Sequence, residues 1–336
     1  LPKDLDETYS RFLQGIQEED AAEVRRALQW LAFSARPLSL DELAEAVTVD
    51  PETRSINNRD RLRNPAEVLD LCSSLVVVGN LAVSKSTTSH GEGGGTELPG
   101  KQIVSFAHFS VKEYFTSERL RTEGGLFSSF IFTQSSAHAF IGQTCLPYLL
   151  LFDRCDSLYA HRLDDFPLLS YAATHWPKHV QVAERFVGDS NRTVSLALKL
   201  LDSKRYPFLN WIRIRDPERP HRSKPNLEKD FKVPIPPLYY ASLLDLPTIV
   251  QQLLKLENVD ANSGGGLLGS ALSAAASQKF ETMNLNEQET SPTPVPVDHL
   301  QLLMTSQAPG EAAACALLDH GANIEARNQQ GESRYT

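Results

Sequence analysis

The chain has 336 residues, enough for two or three domains, and its 41% hydrophobic and 22% charged content is that of an ordinary globular protein. A formal charge of −9 excludes a general nucleic-acid or acidic-membrane surface, because such surfaces need a clustered excess of cations. No apolar run approaches the ~20 residues that span a bilayer. No signal peptide opens the chain, so a cytoplasmic protein is expected. Cys72, Cys145, Cys155 and Cys315 are few and irregularly spaced; they form neither a disulfide framework nor a CxxC pair and read as reduced thiols. Asn191-Arg192-Thr193 matches a glycosylation sequon, which counts only behind a secretory signal. The chain starts at Leu1, and residues 1–16 already read as the middle of a helical domain, so further chain is expected upstream.

Helical periodicity dominates the first part. Ala21, Val24, Ala27, Leu28 and Leu31 fall on one face, and Arg36-Pro37 ends that helix. Ser39 followed by Glu42 is a capping box, and Leu40, Leu43, Ala44 and Val47 make the buried face of the helix it opens. Asn64-Pro65-Ala66-Glu67 repeats the device, with Pro65 at the favoured first helical position. The period then shortens. Val76-Val77-Val78 and Ile103-Val104-Ser105-Phe106 are β-rich, and the Ser-, Thr- and Gly-rich stretch Ser84–Gly100 between them reads as a long mobile hairpin tip. Three helices followed by a two-stranded hairpin is the order of a winged helix. Ser110 through Glu113 reads as a third capping box, opening a helix with Val111, Tyr114 and Phe115.

From about Phe127 to Arg215 the pattern is helical. Ala137, Phe140, Ile141, Cys145, Tyr148 and Leu149 share a face, and Phe166–Val187 forms one or two helices interrupted near Trp176-Pro177. Arg215–Pro237, rich in proline and charge, reads as a linker or as a loop packed across a surface. The last hundred residues hold a degraded repeat. Residues 237–241 followed by 249–254 have the ankyrin form of turn, short helix, tight turn and second helix, and Ser270–Ala275 starts a second unit. The pair Leu253-Leu254 recurs at Leu317-Leu318, nearly twice the ~33-residue ankyrin period. An insertion at about 278–309, with Pro292, Pro294 and Pro296, accounts for the difference, and Asn328–Gly331 reads as the turn of a third unit.

Candidate chemistry is sparse. Gly95 through Lys101 has the glycine and lysine spacing of a P-loop, but Gln102 replaces the hydroxyl that binds magnesium, and a β-rich segment follows where a helix N-terminus is needed. His175 and His179 are four apart, yet Pro177 lies between them and no further ligand is near. No GxSxG elbow occurs and no cysteine is paired with a base, so no enzyme, metal or cofactor is expected in this chain. The helix over Asn64–Leu75 would be the one to read DNA in a winged helix. It lacks Lys and Arg and carries Glu67 and Asp70; Arg59, Arg61 and Arg63 precede it. His108 stands at a strand–helix junction. It can point at an anion held near a helix N-terminus, or bond to local backbone.

Residues 1–9, 27–34, 37–44 and Phe106-Ala107-His108-Phe109-Ser110-Val111-Lys112-Glu113-Tyr114 together resemble the region after the ATPase in filamentous-fungal NACHT–ankyrin proteins. Residues 166–168, 171–177 and 208–212 continue the likeness, which covers essentially the whole chain. That region contains a winged helix named after a GPI inositol-deacylase-like protein; the name implies no lipase chemistry. The resemblance implies a mainly α architecture. A winged-helix domain with a small β-hairpin spans 1–125, a helical domain and linker 126–232, and truncated ankyrin repeats 233–336. It also implies a regulatory and protein-binding part of a STAND signalling protein, one that holds ADP when closed and oligomerises with ATP. Its ATPase domain would lie upstream, and protein partners would bind the ankyrin repeats. In related animal NACHT receptors a histidine in a similar aromatic-x-His-x-Ser/Thr motif contacts the ADP phosphates, so His108 becomes a candidate nucleotide contact once joined to that ATPase domain. Two other classes compete: a winged-helix DNA-binding regulator, and an ATPase acting through Gly95–Lys101.

Overall fold

In a computed structural model of the chain, the described residues are 3–49, 64–80, 101–117, 120, 130–185, 190–220, 224–229, 236–277 and 310–323. They fall into two compact units, Leu1–Tyr148 with Leu163–Trp176, and Leu149–Arg162 with Pro177–Thr336. Among the described residues the fold is mainly helical, with one three-stranded antiparallel sheet in the first unit. Ser84–Gly100, the insertion expected at about 278–309, Arg59, Arg61, Arg63 and the expected turn of a third unit at Asn328–Gly331 lie outside the described residues.

The first unit runs α1 (Lys3–Gly15), α2 (Ala21–Phe33), β1 (Leu38–Ser39), α3 (Leu40–Thr48), α4 (Glu67–Cys72), β2 (Val76–Asn80), β3 (Gln102–Phe106) and α5 (Phe109–Thr116). The sheet order is β1-β3-β2, so the expected two-stranded hairpin gains a strand. Leu38 pairs with Val104 and Ser39 with Ile103, while β2 pairs with β3 from Val76↔Phe106 to Asn80↔Gln102. The cause is local. An N-cap residue must be extended, Ser39 sits at φ −73° and ψ 164°, and Pro37 just before it cannot continue α2. The entry into α3 therefore lies straight along the edge of β3.

α2 buries more than the single face its periodicity suggested. Trp30 and Gln29 are buried along with Val24, Ala27 and Leu28, while Leu31 is only half-buried, because α3, α4 and β3 all pack on this helix. Tyr9 and Leu13 from α1, Val24 and Leu28 from α2, and Val111, Tyr114 and Phe115 from α5 meet in one core. Each such side chain contributes roughly 1.5–3 kcal/mol on burial. The helix expected from Pro65 begins at Glu67; Asn64 instead closes a turn, its carboxamide oxygen accepting from Ala66 N–H at 3.1 Å.

The Gln134–Leu150 and Leu169–Glu184 helices correct two expectations. In the first, Ala139, Thr144 and Leu146 are buried as well as Ala137, Ile141, Cys145, Tyr148 and Leu149, and Phe140 is half-buried; the helix is enclosed on most sides rather than amphipathic. The second runs unbroken through Pro177. A proline there removes one backbone donor without ending the helix, and Trp176 beside it is fully buried.

The most constrained polar group of the first unit is Glu42, whose side chain is 2% exposed. Its N–H donates to Ser39 Oγ (3.3 Å) and its Oε2 accepts from Ser39 N–H (2.9 Å), which completes the expected capping box. Arg36 donates to both carboxylate oxygens at 2.8 Å, and Lys101 Nζ lies 3.2 Å from Oε1. Arg36 also lies over the Tyr171 ring, 5.1 Å from its centroid, and Tyr171 OH accepts from Ala35 N–H at 2.7 Å. Burial alone would raise the Glu42 pKa, but the hydrogen bonds from Arg36 and Ser39 and the charges of Arg36 and Lys101 outweigh it and hold the carboxyl below its ordinary value. Its stabilising contribution is present above the ordinary carboxyl range and is lost as pH falls through the depressed value. Arg36→Met should destabilise the chain by about 2–4 kcal/mol at pH 7, with Lys101 left as a partial partner. In a double-mutant cycle with Glu42→Gln, urea unfolding should give a coupling energy above ~1 kcal/mol. Additive losses would mean the pair is only a surface contact.

In the second unit the helices are Ser190–Leu200, Tyr206–Ile214, Pro237–Leu243 and Pro247–Leu254, a helical run over 271–277, and Glu311–Asp319. Trp211, Phe208 and Tyr240 meet edge-on or tilted with centroids 5.8 to 6.2 Å apart. Buried Asn210 donates to the carbonyls of Phe152 and Arg154 at 2.8 and 2.9 Å. The segment after Arg215 is a packed loop. Asn226 N–H donates to Arg213 O, Lys229 pairs with Asp216 at 2.6 Å, and Glu218 accepts from Tyr239 OH (2.6 Å) and from Leu267 N–H. Gly266, at φ +69°, closes over this site. A Cβ there would fall 2.1 Å from a Tyr239 ring carbon, so no side chain fits.

Pro237–Leu243 packs on Pro247–Leu254, which packs in turn on Glu311–Asp319. Two side chains, Asp245 and Asn262, register these layers. Asp245, in the turn between the first pair at φ 50°, accepts from Gly310 N–H at 3.1 Å. Asn262 donates to Gly321 O (3.0 Å) and accepts from Asn323 N–H (2.7 Å). Gln181 Nε2 donates to the carbonyls of Leu244 and Asp245 in the same turn.

Both carboxylate oxygens of Glu184 are buried with no well-formed hydrogen bond. Burial pushes its pKa up to about 7; Thr248 nearby opposes this and Asp245 adds to it. An acid whose folded pKa is raised costs stability as pH climbs from its ordinary value of 4.5 to about 7, since only the unfolded chain gives up the proton freely in that window. Glu184→Gln should flatten that part of the stability–pH curve and stabilise the chain above pH 7 by about 1–3 kcal/mol. Thermal melts from pH 4 to 8.5 read this directly, and a parallel decline in both proteins would refute it.

Candidate functional site

His108 sits where β3 hands over to α5. Ala107 N–H donates to Leu75 O at 2.8 Å, which fixes the end of β3 against the segment leading into β2. His108 follows in extended conformation, φ −148° and ψ 147°, and is the N-cap of α5. The helix thus begins at Phe109, and Ser110 lies inside its first turn instead of capping it. The capping expected of the Ser110 hydroxyl is done by an imidazole: His108 Nδ1 accepts from Ser110 N–H at 3.2 Å. The serine hydroxyl is freed for other partners, 2.6 Å from His108 Nδ1 and 2.7 Å from Tyr9 OH.

These bonds assign the tautomer. Nδ1 accepts from a backbone N–H, so it carries no proton, and the neutral ring holds its proton on Nε2. The hydroxyl of the fully buried Ser110 lies within hydrogen-bond distance of both His108 Nδ1 and Tyr9 OH and so links α1 to the histidine. A parallel bond joins Ser10 Oγ to Tyr114 OH at 2.9 Å, and the Tyr9 and Tyr114 rings lie 5.2 Å apart. His108 itself is exposed, as is Phe109 at 69%, their ring centroids 4.2 Å apart. Lys112, one turn on, lies over Phe33, and burial lowers its pKa. The arrangement presents an imidazole N–H at a helix N-terminus, a donor suited to an anion.

The other candidates have structural placements. Lys101 is held by Glu42, and Gln102 opens β3, so a strand follows the lysine where a phosphate cradle needs a helix. His175 lies against Tyr171 with ring centroids 4.8 Å apart, and His179 is fully buried. Among the described residues no group of three or more His, Cys, Asp or Glu could hold a metal. Glu67 and Asp70 are exposed on α4. Cys72 and Cys145 are buried, which raises both thiol pKa values, Cys72 to about 12; Cys155 and Cys315 are exposed. No helix among the described residues is long and apolar enough to cross a membrane.

Sequence reasoning placed His108 and named both of its options, but it missed the serine and tyrosine behind it. Tyr9 is 101 residues from Ser110 in the chain, and only the packing of α1 on α5 joins them. In the isolated chain His108→Ala should lower stability by about 1–2 kcal/mol through loss of the cap and of Ser110's partner. His108→Asn, which can still cap, should recover most of that in urea unfolding. Equal losses from both would assign the effect to ring contact with Phe109.

Residues 9–89 match the family described as GPI inositol-deacylase, winged helix domain, and the chain therefore contains a winged helix of that type. A Monascus ruber protein described as azaphilone pigments biosynthesis cluster protein L is 33% identical over 291 residues, which cover 82% of this chain and 57% of that protein. The chain thus spans little more than half the length of the curated relative it matches. No solved structure matches the chain.

Proposed function

We propose that this chain is the regulatory and protein-interaction part of a STAND-type NACHT signalling protein, with its ATPase domain supplied by an upstream segment. The observation that carries the reading is the winged helix of the GPI inositol-deacylase type combined with an exposed, capping His108 whose N–H lies on Nε2. In this reading His108 donates to an ADP phosphate when the ATPase domain is docked and so favours the closed state. The chain itself carries out no reaction, and the regulatory element acts in the cytoplasm.

The helix pairs of the second unit are read as truncated ankyrin repeats. Short helices at 237–243 and 271–277 alternate with 247–254 and 311–319, and the second helices of the two pairs pack on each other. This packing, with Asp245 and Asn262 bonding to the turns of the next helix pair, supports reading the pairs as stacked repeats. Such repeats bind protein partners through their turns and first helices.

The experiment joins the chain to its ATPase domain and measures ADP release and oligomer size. A charge-assisted phosphate contact contributes about 1.5–3 kcal/mol, so His108→Ala should weaken ADP binding by about tenfold or more and favour the larger species. Unchanged ADP release beside the expected stability loss in the isolated chain would make His108 a structural cap alone.

A further inference from the structure

The packed loop that follows the Tyr206–Ile214 helix closes on a recess of about 180 Å³. Arg213, Asp216, Arg219, Lys224, Asn226 and Lys229 line it, beside the buried Ile212 and Ile214. Small-molecule pockets run to roughly 300–1,000 Å³, so this recess is too small for a whole nucleotide or a peptide and suits an ion or a single functional group. Bonds within the loop set its shape. Arg213 Nε donates to Lys229 O at 3.2 Å and Asn226 N–H to Arg213 O at 2.7 Å, which ties the two limbs together. Arg215 donates to Pro220 O at 2.6 Å and Arg219 N–H to Asp216 O at 3.0 Å, which folds the first limb back on itself. The recess is built by the fold, so a ligand is spared the cost of ordering the loop.

The lining carries four cations and one carboxylate, Asp216, which is charged and pairs with Lys229 at 2.6 Å. Arg219 and Lys224 are exposed, and among the described residues neither side chain has a hydrogen bond or an ion pair. Acids close by in the chain do not cancel the excess. Residues 213–232 hold seven lysines and arginines against Asp216, Glu218, Glu228 and Asp230, in a chain whose formal charge is −9. Like charges around a small recess repel one another, and an anion among them relieves that repulsion. A guanidinium fork fits two oxygens of a phosphoryl group, and an ammonium supplies a further charged donor.

We propose that this recess binds a phosphoryl group, as inorganic phosphate or as the phosphate of a small monoester, held by Arg219 and Lys224 beside the Lys229–Asp216 pair. Two cations without partners match the two charges of a phosphate dianion, which favours it over a singly charged carboxylate. The site is independent of the reading above. It needs neither His108, nor an ATPase domain, nor a protein partner.

The test titrates the full chain with inorganic phosphate, glycerol 3-phosphate and acetate in a calorimeter, at low salt and about pH 7.5, where phosphate is mostly the dianion. Phosphate should bind at one site with a Kd of about 0.1–1 mM, and acetate about tenfold or more weakly. Arg219→Gln/Lys224→Gln should weaken phosphate binding by about tenfold or more. The melting temperature without ligand should stay the same, because neither side chain is bonded within the fold among the described residues. Lys204→Gln/Arg205→Gln removes the same charge from another exposed stretch of the unit and should change the affinity by less than about twofold. Tighter binding of glycerol 3-phosphate than of phosphate assigns the site to a monoester, and binding no tighter assigns it to the free ion. The proposal is overturned by an absence of saturable phosphate binding or by equal binding of acetate. It is overturned as well if the Arg219/Lys224 variant binds phosphate like the wild type, or if the two double variants weaken it equally.

Discussion

A carboxylate held almost wholly out of water costs several kcal/mol unless opposite charge and hydrogen bonds surround it, and Glu42 is in that position. What satisfies it decides much of the first unit. Ser39 must be extended to cap α3, which lays β1 along β3. Arg36 must turn back from the end of α2, and Lys101 must stand at the head of β3. The same arginine lies over Tyr171, so a residue far along the chain is drawn onto the turn between α2 and β1. Once the head of β3 is fixed in this way, its pairing with β2 and the bond from Ala107 to Leu75 bring its other end to His108.

The site at that end follows the same economy of polar groups. A helix N-terminus leaves N–H groups without partners, and a histidine ring nitrogen takes one of them in place of the usual serine oxygen. The displaced serine hydroxyl is buried and would be costly alone, so it is satisfied by His108 on one side and Tyr9 on the other. One imidazole therefore has two distinct faces: a nitrogen committed to holding α5 and a nitrogen carrying the proton. A structural cap and an anion donor are compatible roles for it, since they use different atoms.

In the second unit short helices of seven to nine residues cannot hold together by propensity alone. They are stabilised by stacking, and the stacking is registered through side chains in the turns: Asp245 on Gly310, Asn262 on Gly321 and Asn323, and Gln181 on the carbonyls of Leu244 and Asp245. Glu184 runs against this pattern. Its buried oxygens have no well-formed bond, and stability there depends on the carboxyl keeping its proton.

Several features were fixed by residues close together in the chain and could be read from it. The Ser39–Glu42 box, the β-rich runs on either side of 81–100, the position of His108 at a strand–helix junction and the paired leucines of the second unit all depend on neighbours within a few residues. Where local reading failed, a distant group had intervened. Ser110 looked like a cap until His108 and Tyr9 claimed it, and Pro177 looked like a break until Trp176 was buried beside it. The sequence by itself determined helical content, capping and the order of elements, because backbone hydrogen bonding and side-chain periodicity are short-range. Only the tertiary structure decided which polar groups were withdrawn from water, and so which partners across a hundred residues each of them required.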